Sequence, residues 1–201
     1  MKGDRELIQI VDAAMAEAVR KSGAWLACRP GCCQCCIGPF PITALDAVRL
    51  REGLAGLKNH DPERAARVRQ RARASVERIS RDFPDDPVAS VLRLEDAFED
   101  EPCPVLDPPT GTCDLYASRP ITCRTFGPAV RFGDNSVVVC ELCYRGASDE
   151  QIAACEVEVD PEDLESALLR EIEKSAPARQ TIVAFALAGA RLDAPHQTGR
   201  S

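Results

Sequence analysis

The chain has 201 residues, is 45% apolar and carries a formal net charge of −7. That length and apolar share fit one domain with its own core, and the acidic balance argues against a surface built for a polyanion. With one Trp, two Tyr and six Phe, the interior falls mainly to Leu, Val, Ile and Ala.

In chain order, residues 4–22 space Leu7, Ile10, Val11, Ala14 and Ala18 at helical intervals, and Ser22-Gly23 ends the pattern. Residues 1–22 have neither the continuous apolar run nor the small-residue cleavage site of a secretory leader, so the expected compartment is the cytoplasm. Five cysteines follow within Cys28-Arg29-Pro30-Gly31-Cys32-Cys33-Gln34-Cys35-Cys36. Thr43 with Asp46 resembles a capping box, with Asp in place of Glu or Gln, for a helix from Ala44 to Leu57. Asp61-Pro62, Asp86-Pro87 and Asp160-Pro161 each put an N-cap before a Pro at the first helical position, which predicts helices over 62–83, 88–98 and 161–175. A last helix is expected over 177–191. Its apolar run, Thr181–Ala190, is far short of the roughly 20 residues a membrane-spanning helix needs and reads as a buried core helix.

Between Pro102 and Arg145 the turn signals Asp107-Pro108-Pro109-Thr110-Gly111 and Gly133-Asp134-Asn135 flank short apolar stretches, which predicts small hairpins. Val137-Val138-Val139 is the clearest strand. The expectation is a mostly α protein with a small β-hairpin component (α+β, single domain). It would span 1–192, with a cysteine-rich core over 24–145, C-terminal helices over 161–191 and a disordered tail over 193–201. The 62–83 helix holds seven arginines against Glu63, Glu77 and Asp82. The acidic stretch from Asp85 to Glu101, including Glu95 and Asp96, offers it a charge-complementary partner inside the fold, which is the more economical account than a nucleic-acid patch.

The eleven cysteines also include Cys103, Cys113, Cys123, Cys140, Cys143 and Cys155. An odd count and adjacent Cys-Cys pairs fit a disulfide framework badly. Cys32-x2-Cys35, Cys33-x2-Cys36 and Cys140-x2-Cys143 together read as metal-ligand spacing. The two histidines, His60 and His196, are remote from every cysteine in sequence. The suitable ions are therefore those content with four thiolates, tetrahedral zinc or an iron–sulfur cluster, and the expected partner of the chain is a metal ion.

Cys28-Arg29-Pro30-Gly31-Cys32-x2-Cys35-Cys36, followed by Ile42-Thr43-Ala44-Leu45-Asp46, resembles the opening of the YkgJ-like cysteine-cluster family of zinc- or iron-chelating domains. Cys103-Pro104-x-Leu106 and the stretch from Gly111-x-Cys113 through Arg119-Pro120-x2-Cys123-Arg124-x-Phe126-Gly127 are similar to its most specific segment, and Cys140-x2-Cys143 falls where its last cysteines do. The resemblance implies metal chelation through Cys28, Cys32, Cys35, Cys36, Cys103, Cys113, Cys123, Cys140 and Cys143. Cys33 stands where the family more often has Gly, and Cys155 lies outside the pattern. Four thiolates around a divalent ion leave a charge of −2, which Arg119 and Arg124, flanking Cys123, can offset as cofactor-side donors. Pro104 and Pro120 fix φ beside ligands. Tyr116 and Phe126 are expected to wall the site from solvent.

Two other functional classes remain open. Cys28-x3-Cys32-x2-Cys35 has radical-SAM spacing, and flagellin lysine N-methylases are similar in their cysteine-cluster region, which allows a cluster-dependent methyl or radical transfer. Against it, Gln34 occupies the place of an aromatic and there are too few βα units for the barrel. A zinc-stabilised interaction module is the third option, with no protein partner indicated.

Overall fold

Helix α1 (Lys2–Ser22) buries Leu7, Val11, Met15 and Ala18 on one stripe, the helical spacing that the sequence displays. This is a computed structural model, and it describes residues 2–94, 98–132, 136–174 and 179–189. Helix α2 (Ala44–His60) begins at the predicted capping box: Thr43 Oγ1 accepts from the Asp46 backbone and the Asp46 carboxylate accepts from the Thr43 backbone. Asp61 caps α3 (Pro62–Asp82), and Asp86 caps α4 (Pro87–Arg93). Helix α4 stops short of the predicted end, since Leu94 is already extended; residues 95–97 lie outside the described residues.

The hairpin β1 (Leu106–Asp107) and β2 (Thr112–Cys113) pairs Leu106 with Cys113 around the predicted turn. It leads into the short α5 (Ile121–Thr125). Strand β3 (Val130–Arg131) pairs antiparallel with β4 (Val137–Val138). The turn between them, Gly133-Asp134-Asn135, lies outside the described residues. Helix α6 (Asp149–Ala153) follows, and β5 (Val157–Glu158) adds to β3 in parallel. Helix α6 ends at Ala153, and Cys155 occupies the turn that feeds β5.

Helix α7 (Leu164–Glu173) starts three residues later than Asp160-Pro161 suggests. Asp160 still caps it, but across a longer reach, because its carboxylate accepts from the backbones of Leu164 and Glu165 while Asp163 takes a left-handed conformation. Of the predicted terminal helix, α8 (Val183–Ala188) is described; residues 175–178 and 190–201, including the expected tail and His196, lie outside the described residues.

The fold is mostly α with small two- and three-stranded sheets. Helices α2, α3 and α8 share a core of Leu50, Leu54, Val68, Ala72, Val183 and Leu187, while α1, α5 and α7 close over Leu7, Val11, Leu45, Ile121 and Val130. Each fully buried Leu or Val contributes about 1.5–3 kcal/mol relative to exposure, so these two clusters form the frame on which the cysteine loops are hung. Among the described residues, no helix is long and apolar enough to cross a membrane.

Candidate metal centre

Three strands of irregular backbone converge beside the frame. The cysteine loop lies antiparallel to 101–103: Cys103 N–H donates to Cys36 O at 2.8 Å and Gly38 N–H to Glu101 O at 2.8 Å. This places Cys35 and Cys36, on a 3-10 turn (Gln34–Cys36), beside Cys103. The β1–β2 hairpin then delivers Cys113. Its neighbour Asp114 has a side chain with no exposed surface, held by Arg64 and by Arg71, 2.6 Å away, both on α3. Arg71 also donates to Pro104 O at 2.8 Å. Cys123 arrives on α5, whose first turn is pinned by Asp46: the Ile121 N–H donates to Asp46 Oδ1 at 3.0 Å.

These contacts gather Cys35, Cys36, Cys103, Cys113 and Cys123. Cys36 is the neighbour that most disfavours ionisation of Cys35, and a thiolate at Cys123 would face those of Cys103, Cys113 and Cys35. The Cys35 thiol is raised by its Cys36 partner and then by burial, and Cys123 by burial and then by Cys103. Burial pushes Cys103 up to about 12, opposed by the Val105 backbone N–H and by Arg71. Burial also raises Cys113, with Asp114 adding to the rise, and Arg119 partly opposes it at both Cys113 and Cys35. Clustered, buried thiols resist ionisation because each thiolate would face its neighbours' charge in a weakly solvated place; a bound cation reverses that balance.

A second gathering holds Cys28, Cys32, Cys140 and Cys143. Burial first, and Cys143 next, push the Cys28 thiol up to about 12, with Cys32 and Cys140 contributing. Burial also raises Cys140. Cys140 N–H donates to Gly127 O at 3.2 Å, and Cys143 N–H to Cys140 O at 2.9 Å. Tyr144, in a left-handed conformation at φ 54°, ties the group to the end of α1: its N–H donates to Trp25 O, its hydroxyl shares a hydrogen bond with Ser22 Oγ, and it accepts from the Ala129 N–H. Although Cys28 is exposed as a residue, its sulfur lies against the bare Cα of Gly127.

The nine cysteines named from the sequence thus fall into groups of four and five, and the radical-SAM triplet is divided, with Cys28 and Cys32 in one group and Cys35 in the other. All eleven cysteines are free thiols. Among the described residues, no group of three or more His, Cys, Asp or Glu side chains is placed so that it could hold a metal ion; the thiols are brought to neighbouring segments without forming a site. The donor chemistry nonetheless suits zinc or iron, which soft thiolates select. Cys33, at the N-cap of the 3-10 turn, joins neither group among the described interactions. Cys155 shares a buried patch with Cys140 and Cys143 and donates its thiol to Lys21 O at 3.4 Å.

The two arginines differ. Arg119 sits within electrostatic reach of Cys35 and Cys113 and stacks on the Tyr116 ring at 3.9 Å. Arg124 is buried and turned away to oxygen, donating to Asp12 Oδ1 at 2.7 Å and to the Ala117 and Arg119 carbonyls. Tyr116 and Phe126, expected to wall the site from solvent, are themselves 65% and 40% exposed. Gly127, Asp114, Asp46 and Tyr144 are positioning residues that cysteine spacing alone does not disclose.

The family profile described as "Putative zinc- or iron-chelating domain" (CxxCxxCC) matches residues 27–143. The chain belongs to this family. The match covers both gatherings, from the residue before Cys28 to Cys143 itself, and the CxxCxxCC segment leaves Cys155 and helices α6 to α8 outside. Neither the curated proteins nor the solved structures compared with the chain gave a match.

Proposed function

We propose that this chain holds zinc or an iron–sulfur cluster through the thiolates of Cys28, Cys32, Cys35, Cys36, Cys103, Cys113, Cys123, Cys140 and Cys143, within one domain spanning 1–192. The observation that carries the reading is the gathering of these thiols from segments far apart in sequence, with each segment separately anchored to the helical frame. Structural metal sites behave this way, since the ion closes loops that secondary structure alone cannot hold. Metal binding through thiolates needs those cysteines reduced, and a reducing compartment, the cytoplasm, provides that. Arg119 would offset thiolate charge and hydrogen-bond sulfur; Arg124 would act one step back, fixing α5 against α1 so that Cys123 is presented.

Anaerobic purification followed by metal analysis and a visible spectrum tests this. Brown protein containing acid-labile sulfide supports the iron–sulfur form, and colourless protein with stoichiometric zinc the zinc form. Protein that takes up neither, with its thiols reduced, overturns the reading.

A further inference from the structure

Away from the cysteine segments, the fold buries a polar cluster where α7 meets α2. Asp46, 1% exposed, has four donors: Oδ2 accepts from the Thr43 N–H and from Thr43 Oγ1, and Oδ1 accepts from Arg49 Nη1 at 2.6 Å and from the Ile121 N–H at 3.0 Å. Four donors fill the lone pairs of an ionised carboxylate, so Asp46 carries the charge. Arg49 also binds Asp4 of α1 at 2.7 Å, and Asp160 accepts from the Leu164 and Glu165 backbones. Glu165, in the first turn of α7, enters this cluster with its Oε1 3.3 Å from Thr43 Oγ1. The groups around it, Asp4, Asp46 and Asp160 against Arg49, leave two surplus negative charges before its own is counted.

Thr43 decides where a proton belongs. Its hydroxyl has one proton and two lone pairs, and one lone pair accepts from the Asp46 N–H. Asp46 Oδ2, at 3.1 Å, and Glu165 Oε1 both lie within reach of the single proton. Were both carboxylates ionised, one of them would face the hydroxyl with no hydrogen between. A proton on Glu165 removes the conflict: Glu165 donates to Thr43 Oγ1, Thr43 donates to Asp46 Oδ2, and the hydroxyl is fully used. Burial and Asp46 act in the same direction, pushing Glu165 up to about 7 against Thr43 and Arg49.

The backbone here is able to let go. Asp163, just before α7, is held left-handed at φ 53°, a conformation that costs a non-glycine residue about 1–3 kcal/mol. Leu164 gives the first turn one apolar contact, while Leu168, Leu169 and Ile172 hold the later turns against the α1 core. We propose that Glu165 is a proton-operated latch. Protonated, it bonds Thr43 and seats the first turn of α7 on α2; once its proton passes to solvent, the carboxylate turns out to water and that turn is released.

Two measurements on the full chain test this. In carboxyl carbon NMR of glutamate-labelled protein, with Glu165 identified by sequential assignment and by its absence from E165Q, the Glu165 signal should titrate near neutrality. Titration in the ordinary glutamate range overturns the proton assignment. Amide hydrogen exchange then reads the latch at Leu164, Glu165 and Ala167, whose N–H groups bond Asp160 and the Asp163 carbonyl. After correction for intrinsic rates and with α3 as reference, their protection in wild type should fall at least about tenfold from pH 5 to pH 8. In E165Q, whose amide can donate to Thr43 at every pH, it should stay constant. Any other pattern, including an equal fall in both proteins or in neither, overturns the latch.

Discussion

The sulfur of Cys28 packs against Gly127: a Cβ built on Gly127 would lie 2.7 Å from Cys28 Sγ. Gly127 has φ +122°, a region that side chains rarely enter, and its carbonyl accepts from Cys140. One residue therefore sets the position of two thiols in the four-thiol group without supplying a ligand. G127A should cost about 1–3 kcal/mol in stability through backbone strain, and it should lower the metal bound per chain, as read by metal analysis of the folded fraction. Full metal content in G127A would show that Cys28 does not need this close approach.

Metal removal should act on the middle of the chain first. Its strands are two residues long, too short to be stable by themselves. Structural zinc carries apparent binding free energies of about 10–16 kcal/mol, comparable with the 5–15 kcal/mol or so that stabilises a whole domain. Chelation should open 100–145 to limited proteolysis while α1 to α3 keep most of their helical circular dichroism. Unchanged cleavage kinetics in that segment after metal removal would show that hydrogen bonds alone organise it.

The helices were legible because their ends are written locally: the Thr43–Asp46 box and the Asp61 and Asp86 caps each need only residues within one turn. Where local rules met a competing geometry they slipped, as at Asp163, whose left-handed backbone delays α7. The parallel pairing of β3 with β5 was not legible, since it joins Val130 to Val157 across α6. The metal-ligand character of the cysteine segments was legible from spacing and the nine candidates from the family resemblance, but the way the fold brings those segments together was not. It depends on the zip between 36–38 and 101–103 and on Asp114 being drawn into α3, and neither leaves a periodic trace. The Arg-rich α3 meets acidic groups inside the fold, but Arg64 and Arg71 reach Asp114 in the hairpin rather than the stretch 85–101, which among the described residues is met by Arg78 at Glu101.

Asp114 should prove the most costly carboxylate to neutralise. It is buried and satisfied by two guanidiniums, and removing one member of a buried pair commonly costs about 3–5 kcal/mol. Arg64 and Arg71 keep 37% and 25% of their side-chain surface exposed and can turn to water, which places D114N nearer 2–3 kcal/mol by the same reasoning. A urea midpoint lowered with an unchanged slope is the expected result. A midpoint equal to wild type would mean that the hairpin is held by its backbone alone.

Glu165 gives the fold a pH dependence of unusual sign. Burial, then the Asp46 carboxylate, push it up to about 7, with Asp160 adding to the repulsion and Thr43 and Arg49 opposing it. A carboxyl whose folded value exceeds its unfolded one, 4.5, favours the fold fully below the unfolded value, and that contribution is lost as pH rises through about 7. E165Q should therefore gain stability over wild type between pH 5 and 8, by on the order of 1–2 kcal/mol once partial exposure is allowed for. Parallel stability curves for the two proteins across that range would remove Glu165 as the cause.

The eleven thiols can be sorted into ligands and bystanders by substitution. C123S should lower metal content sharply, because a serine hydroxyl cannot supply a thiolate donor and Cys123 sits among Cys103, Cys113 and Cys35. C155S should leave metal content unchanged, since serine can keep the hydrogen bond to Lys21 O, at a stability cost of about 1 kcal/mol for placing a hydroxyl in an apolar patch. Cys33 is the informative case. It stands between Cys32 of one group and Cys35 of the other, at the N-cap of the 3-10 turn, so its thiol could be recruited by either only if the turn unwound. C33G should therefore load metal like wild type, measured per chain by metal analysis. A loss comparable with C123S would mean that the turn rearranges on loading and that Cys33 belongs to the ligand set.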